Sequence, residues 1–417
     1  MRLLFVVQRY GAGIAGGAEH LVRQYSERLV RRGHHVEVLT SCATSYADWA
    51  DHYPPGTTTI EGVTVHRLRV ARRRDNDLFA PLHQRIAREG DGHARWSPTV
   101  ASLWSRRIGP ELAGLESWLL SHAARFDVVV FSGYLYTPST QGLPITAPLA
   151  PTVLQPVAHD EPMLRLPVTR RLFDHATGIN FLTDEEAQLV TQRFRPPGVK
   201  RVFGAGVEPI PQNLPTDVRQ RYGIGSSPYI VCVGRIDPAK GMHELAANVR
   251  EYRARRRTDI KLVLVGSEVH PIGADEHVIV TGFVDEPTKW ALLDDSMVLA
   301  QPSYYESFSL SLAEGWRCAK PAIVQGRNDV LAGQVARSGG GLAFRSFAEF
   351  DAGLGLLESS PTLRDRMGRS GQDYVEQYNW DAVLDSFEGL LSDTRQAWTG
   401  RSGATLDRNG RSGVQAC

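Results

Sequence analysis

The sequence predicts an α/β protein made of two successive open, doubly wound domains, each around a parallel sheet. Three observations carry this reading. Short apolar runs alternate with helical patterns along the chain, as expected of parallel strands joined by helical crossovers. The alternation pauses at a proline-bearing stretch, 206–215, and then restarts. A chain of 417 residues also exceeds what one hydrophobic core usually organises.

In the first half, strands are expected at 3–7, 35–40, 63–68, 127–132, 152–157, 178–183 and 200–205. Each is rich in Val, Ile, Leu or Phe and ends near a turn residue. Helices are expected at 18–31, 99–123 and 185–194, where apolar residues recur at helical spacing. The charged segment 69–98 reads as a loop with short helices. Pro209, Pro211 and Pro215 mark 206–215 as a linker. In the second half, strands are expected at 229–233, 261–265, 277–281, 297–301 and 322–325, with helices between them. Segments 361–378 and 381–392 read as helices, with Trp380 as a core anchor between them. The resulting plan is a first domain over 1–205, the linker, a second domain over 216–378 and a helix over 379–395. The tail 396–417, rich in Gly, Ser and Arg, is expected to be disordered.

Composition narrows the function. Hydrophobic residues at 42% and charged residues at 22% suit a soluble globular protein. A formal net charge of +1 argues against a nucleic-acid partner, which would call for a basic excess. Cys42, Cys232, Cys318 and Cys417 are scattered without metal-ligand spacing, which suits a reducing compartment. The run Leu3 to Val7 is too short for a signal core and reads as the first strand. No stretch approaches the roughly 18 apolar residues of a membrane helix. A cytoplasmic protein is expected, with any membrane contact peripheral.

Two clusters in the second half carry chemistry. After the strand at 297–301 come Glu306, Phe308, Ser309, Leu310 and Glu314, across a loop and the start of a helix read as 308–317. The free amides of a helix start favour an anion, and the two acids can bind hydroxyls. After the strand at 229–233 come Gly234, Arg235, Lys240 and Gly241. Arg235 offers a two-pronged phosphate contact and Lys240 a point charge. Both clusters lie at strand carboxyl ends, where open α/β sheets bind ligands. A nucleotide sugar fits such a combination. Taken singly, the same residues are an ordinary basic turn and a solvated helix face.

The first half offers a rival. Gly11, Gly13 and Gly16 form a literal G-x-G-x-x-G after the first strand. A dinucleotide site would also want an acid at the end of the second strand. That strand instead ends in Thr40 and Ser41, with Glu37 inside it. The glycines fit a flexible loop better. Arg67, Arg69, Arg72, Arg73 and Arg74 could contact anionic lipid or a phosphorylated acceptor, whereas Arg253, Arg255, Arg256 and Arg257 read as a solvated helix end.

With these residues in view, the chain resembles a retaining glycosyltransferase of the GT-B fold, in glycosyltransferase family 4 (glycosyl transferases group 1). The family's Glu-x7-Glu motif matches Glu306 and Glu314. Its Gly-Arg and Lys-Gly pairs match Gly234, Arg235, Lys240 and Gly241. Its Gly-Gly-Ala-Glu matches Gly16, Gly17, Ala18 and Glu19, and its His-Asp matches His159 and Asp160. The resemblance implies two Rossmann-like domains facing each other across a cleft, with the last helix crossing back to the first domain. It implies a nucleotide-sugar donor, a hydroxyl acceptor (glycan, glycolipid or small molecule) and front-face attack with retention. Arg235, Lys240, Gly234 and the amides near Phe308, Ser309 and Leu310 would serve the diphosphate, Glu306 the sugar hydroxyls and Glu314 the ribose. His159 would hold the transferred sugar. Gly16 and Gly17 would approach the donor phosphates or the acceptor.

Two departures stand out. The family often has Phe-Gly-Leu where this chain has Phe308, Ser309 and Leu310, and its later Gly-Gly turn is replaced by Gly326 to Val330. No Asp-x-Asp stands at a strand end, so no cofactor and no essential divalent ion are expected. The alternatives are a catalytically silent binding subunit or another GT-B enzyme, such as a sugar epimerase or a phosphorylase.

Overall fold

The computed structural model describes residues 1–14, 16–88 and 96–409. The chain divides into two compact units. Unit 1 comprises Met1–Gly204 together with the chain from Val383 onward, and unit 2 comprises Ala205–Ala382.

Unit 1 is built on β1 (Arg2–Val6), β2 (His35–Ser41), β3 (Gly56–Ile60), β4 (Val63–Leu68), β5 (Val70–Arg72), β6 (Glu111–Leu112), β7 (Val128–Ser132), β8 (Thr152–Gln155), β9 (Gly178–Phe181) and β10 (Val199–Val202). Its main sheet runs β10-β9-β8-β7-β1-β2-β4-β3. All neighbours pair in parallel except β3, which is antiparallel to β4. The short β5 and β6 form a separate ribbon. The strands read as continuous apolar runs because both sheet faces are covered. Leu4, Val129, Phe131, Leu154 and Ile179 meet Leu119, Leu143 and Phe173 from the flanking helices in one core.

Unit 2 carries β11 (Tyr229–Val233), β12 (Lys261–Val265), β13 (Val278–Gly282), β14 (Val298–Gln301), β15 (Ala322–Gln325) and β16 (Gly341–Phe344). The order is β13-β12-β11-β14-β15-β16, all parallel. Its core joins Ile230, Leu262, Leu264, Val298 and Ile323 to Leu245, Val249, Phe350 and Leu354. Strand order reverses between β11 and β14 in unit 2 and between β1 and β7 in unit 1. In open sheets such switch points open a crevice at the carboxyl ends.

The structure corrects several expectations. The single helix at 99–123 is two, Pro98–Ile108 and Leu115–His122. Gly109 at φ +68° and Pro110, which has no N–H to give, end the first. Segment 69–98, expected as a loop with short helices, holds the helix Asn76–Arg88 and also the unexpected short strand β5. The helices Thr137–Thr146 and Pro167–His175 and the strands β3 and β16 went unread. The helix expected from Phe308 begins at Leu310. The last helix runs Trp380–Asn409 instead of stopping near 395, so the expected disordered tail is helical as far as Asn409. Extending a nucleated helix adds a hydrogen bond for each residue fixed. The remaining tail, 410–417, lies outside the described residues.

Within unit 1 that helix is held firmly. The Phe387 ring stacks on Tyr25 with centroids 4.6 Å apart, and Trp398 Nε1 donates to the Ala147 carbonyl at 3.0 Å. Trp380 anchors the other end within unit 2, donating from Nε1 to Glu208 at 2.9 Å. Among the described residues, no helix is long and apolar enough to cross a membrane.

Candidate active site

In unit 2 the two sequence clusters emerge from β11 and β14, the adjacent strands at the switch point. Asp237 caps the short turn Pro238–Lys240 by accepting from Ala239 N at 2.9 Å. It also accepts from Arg235 Nε at 3.1 Å, so the half-exposed Arg235 is held near the turn. Gly241 follows at φ +70°, and a Cβ there would lie 2.2 Å from the Pro302 carbonyl oxygen. Only glycine allows the two loops to approach this closely. The approach sets Lys240 Nζ 2.7 Å from Glu306 Oε1. Cys232 lies beneath this pair, and burial pushes its thiol up to about 12, against the opposing charge of Lys240.

The loop after β14 is braced from below. Gln301 Nε2 donates to Ser309 Oγ at 2.7 Å and to Ser311 Oγ at 2.8 Å. Ser309 sits at φ +70°, ψ 84°, just before the helix Leu310–Arg317, and gives that helix no side-chain cap. The first-turn amides therefore keep their affinity for an anion. Phe308 is expected to contribute its backbone amide, and its other groups are engaged within unit 2. Its side chain is buried and packs edge-on against Tyr378, and its carbonyl accepts from Gln334 at 2.6 Å. Only its amide remains for a ligand.

Glu314 projects from the second turn of the helix. Its Oε1 takes a hydrogen bond from Lys289 Nζ at 2.7 Å, and Lys289 also pairs with Glu286 at 2.8 Å. Burial raises the Glu314 carboxyl above its ordinary range, while the Lys289 charge opposes the rise. Lys289 was absent from the sequence reading; its only signal is Glu286 three residues earlier on one helix.

In unit 1, Gly16 begins the helix Gly17–Arg31, and a Cβ on it would lie 2.4 Å from the Glu19 carboxylate. Glu19 is not left for a ligand. It accepts from Arg9 Nε at 2.9 Å and from the Tyr46 hydroxyl, and the Arg9 guanidinium lies 3.4 Å over the Tyr46 ring. This places the motif's acid in the scaffold. Gly17 has open space where a side chain would sit.

His159 follows β8 on the same carboxyl-end rim. The turn that presents it passes through Val157 at φ +53°, strained for a β-branched residue. Asp160 pairs outward with Arg165 at 2.9 Å. The turn is secured by Glu186, a residue the sequence reading missed. Thr183 caps the helix Asp184–Phe194, so Thr183 and Glu186 have capping-box spacing. The Glu186 carboxylate is diverted, however. It accepts from Leu182 N at 2.7 Å and, across to the neighbouring strand's exit, from Ala158 N at 2.6 Å. Burial pushes its carboxyl up to about 8, despite two N–H donors that favour the anion.

Glu37, inside β2, serves the fold. It accepts from His66 at 2.6 Å and pairs with Arg125 at 2.7 Å. Burial works against its charge, yet these partners hold its carboxyl below the usual range. The arginine run does not form one surface. Arg67 is buried, donating to the Tyr10 carbonyl at 2.8 Å, while Arg72 and Arg73 are exposed. Arg255 and Arg256 pair with Glu251 and Asp351 on the outside of unit 2. Among the described residues, no three His, Cys, Asp or Glu side chains gather to hold a metal ion.

Comparison with known proteins agrees with this architecture. Residues 16–206 match the family model "Glycosyl transferase 4-like domain", and residues 216–374 match "Glycosyl transferases group 1". A D-inositol 3-phosphate glycosyltransferase of Segniliparus rotundus is 27% identical, over 94% of this chain and 86% of that protein. An MMP α-(1→4)-mannosyltransferase of Mycolicibacterium hassiacum is 26% identical, over 88% of this chain and 92% of that protein. Among solved structures, a sucrose-phosphate synthase of Thermosynechococcus elongatus superposes with a TM-score of 0.68 at 17% identity, covering 95% of this chain and all of that one. Paired Rossmann-like sheets, with family models matching in both halves, place this chain among the GT-B glycosyltransferases of the group 1, family 4 type.

Proposed function

We propose that this glycosyltransferase takes its sugar from a nucleotide-sugar donor, transfers it to a hydroxyl acceptor with retention of anomeric configuration, and needs no divalent ion. The observation that carries the reading is the 2.7 Å pair between Lys240 and Glu306 at the switch point of unit 2. A cation suited to phosphate and an acid suited to sugar hydroxyls stand side by side, as a sugar diphosphate requires.

In this reading Lys240, Arg235 and the amides of Ser309 and Leu310 stabilise the leaving diphosphate as its charge grows. Glu306 holds hydroxyls of the transferred sugar. Glu314, with one oxygen already bound by Lys289, offers the other to the ribose. His159 keeps its proposed role of holding the sugar. The acceptor hydroxyl attacks on the face from which the diphosphate departs, and its proton passes to the leaving phosphate oxygen. No protein nucleophile is used. Arg235 and Lys240 supply the positive charge that a divalent ion would otherwise bring.

Relatives' names support the donor class and stereochemistry. One, from Mycolicibacterium smegmatis, is a GDP-mannose-dependent α-(1-6)-phosphatidylinositol monomannoside mannosyltransferase, 25% identical over 57% of this chain and 69% of that protein. GDP-mannose carries an α-linked sugar, so an α product means retention.

The test is a panel of UDP-, GDP-, ADP- and dTDP-sugars scored by thermal shift and nucleotide release. A ligand that binds only the native state raises apparent stability by mass action. One donor should stabilise the protein and release nucleotide slowly in water, with or without EDTA. NMR of the transfer product should show a retained anomer. No response to any donor, an inverted product or activity abolished by EDTA and restored by metal would overturn the corresponding part.

A further inference from the structure

The β3 edge of the unit 1 sheet carries a cluster of side chains that the transfer reading does not use. It lies away from the switch point between β1 and β7, with β2 and β4 in between. There an open recess of about 340 Å³ is walled by Pro55, Thr57, His66, Leu68, Arg69 and Trp118. That volume suits a small molecule.

Three side chains form a hydrogen-bonded line at this recess. The Thr57 hydroxyl lies 3.0 Å from His66 Nδ1, and His66 Nε2 lies 2.6 Å from Glu37 Oε2. A carboxylate only accepts, so Nε2 carries the proton of the neutral ring. Nδ1 then turns its lone pair to the Thr57 hydroxyl. His35 and Arg125 also bind Glu37, at 3.2 and 2.7 Å, so the acid is fixed and the imidazole with it. Glu37 serves the fold and, by the same bonds, aims a base at a hydroxyl. A nucleophile, a base and an acid that orients the base make up acyl-transfer sites on unrelated folds.

The backbone adds a fourth part. Glu61 at φ +48° and Gly62 at φ +79° make the two-residue turn between β3 and β4. Such a turn makes its flanking residues, Ile60 and Val63, a hydrogen-bonded pair, and the two kinds of pair alternate from there. Thr57 and His66 are therefore a non-hydrogen-bonded pair, in which side chains approach closely. β3 has β4 on one side only, so the Thr57 N–H points to the open edge. Arg69 is exposed on the recess wall and meets Asp51 only at 3.9 Å. The amide and the guanidinium can stabilise an oxyanion beside the Thr57 hydroxyl. Thr57 itself is exposed. Pro55, Leu68 and the Trp118 ring, 5.2 Å from that of His66, offer a short acyl chain apolar walls.

We propose that this chain hydrolyses small acyl esters at the β3 edge of unit 1, with Thr57 as nucleophile, His66 as base and acid, and Glu37 positioning His66. The activity stands apart from sugar transfer and does not rest on it. Thr57 Oγ bonds to the ester carbonyl carbon while its proton passes to His66 Nδ1. The bond from that carbon to the alkoxy oxygen breaks, and the proton goes to the leaving alcohol. Water then attacks the acyl group on Thr57 and gives a proton to His66 Nδ1. That proton returns to Thr57 Oγ as the carboxylic acid leaves. The sum is ester and water to acid and alcohol.

The experiment uses the full chain and para-nitrophenyl acetate. Nitrophenolate release measures turnover, and mass spectrometry of the quenched, digested protein locates the acetyl group. Wild type should turn the ester over and carry acetyl on Thr57. Thr57→Val and His66→Gln should each lose that adduct and slow release by about tenfold or more. Thr59→Val, which changes another exposed threonine of β3, should match the wild type. Acetyl confined to lysines, or wild-type release in Thr57→Val, would overturn the proposal. Thermal unfolding checks that each variant is folded. Because Thr57 is exposed, Thr57→Val carries the test even if His66→Gln does not fold.

Discussion

Lys240 and Glu306 neutralise each other across 2.7 Å before any ligand arrives. They are set there by two loops that touch at Gly241 and Pro302. The pair holds both groups ready, and a donor must replace each one's partner with its own diphosphate and hydroxyls. Preorganised charge of this sort contributes most where charge develops.

The first prediction follows. Glu306→Gln and Lys240→Ala should each lower kcat by about 100- to 1000-fold, the usual loss of roughly 2.7–4 kcal/mol for one stabilising group. The double variant should lose much less than the product of the singles, because each single leaves its partner unpaired. Steady-state kinetics on the three variants checks this. Strictly multiplicative losses would mean that the two side chains act independently.

In the second pair, Lys289 with Glu314, the lysine is more deeply enclosed than Lys240, while the two glutamates are alike. Burial already raises the Glu314 carboxyl, and Lys289 restrains the rise. Lys289→Met should let it climb further, so the acid stays protonated to higher pH and loses its capacity to accept ribose hydroxyls. Nucleotide affinity in the variant should fall about tenfold or more, at roughly 1.4 kcal/mol per tenfold. The loss should deepen as pH is lowered. Calorimetric titration of nucleotide over a pH series decides it; a constant deficit would show that the Glu314 carboxyl is not raised by the loss of Lys289.

Glu186 gives a stability prediction with a defined sign. Its folded carboxyl is raised to about 8 from an ordinary value of 4.5. A raised pKa means that the folded state binds the proton more tightly. This stabilisation is complete below about 4.5 and is lost as pH climbs through 8. Wild type should therefore lose stability relative to Glu186→Gln over that window, by about 1.4 kcal/mol per unit at most. Glu186→Ala strands two buried N–H groups at about 1–3 kcal/mol each. It should also cost about 10- to 100-fold in kcat, through displacement of His159. Denaturant melts of wild type and Glu186→Gln from pH 5 to 8 test the sign, and parallel curves would refute it.

Ser309 occupies a backbone region that favours glycine, at φ +70°. Holding a serine there costs roughly 1–2 kcal/mol, offset by the bond from Gln301, at about 0.5–1.5 kcal/mol. Ser309→Gly trades one for the other and should stay within about 1 kcal/mol of wild type. Ser309→Ala keeps the strain and drops the bond, so it should be about 1 kcal/mol less stable than wild type and below Ser309→Gly. If alanine matched or exceeded glycine, the turn would not be strained.

Much of this was legible in the chain because parallel strands buried on both faces leave unbroken apolar runs. Tyr229 to Val233 and Val128 to Ser132 are of that kind. What escaped lacks such a signal. β3 is Gly followed by three threonines and Ile, mostly exposed. The helix Thr137–Thr146 contains Pro138, Gly142 and Pro144, residues that disfavour a helix locally, and persists because tertiary packing buries most of it. At the site, Glu306, Lys240, Arg235 and Glu314 were visible through spacing at strand ends. Their supports were not, since Gln301 and Lys289 become meaningful only when segments apart in sequence meet. Glu186 left a trace in its capping-box spacing, but nothing local shows its carboxylate turning to Ala158.

That detour has a consequence for motion. The Glu186 carboxylate closes the exit of β8 and the approach to the helix Asp184–Phe194 with the same group. Lifting the segment bearing His159 takes away one of the two N–H donors of a buried carboxyl group that also holds the chain before that helix. The two form one cooperative unit of local opening. The amides of Ala158 and Leu182, far apart in sequence, are then expected to show similar hydrogen-exchange protection, as members of one local opening unit around His159.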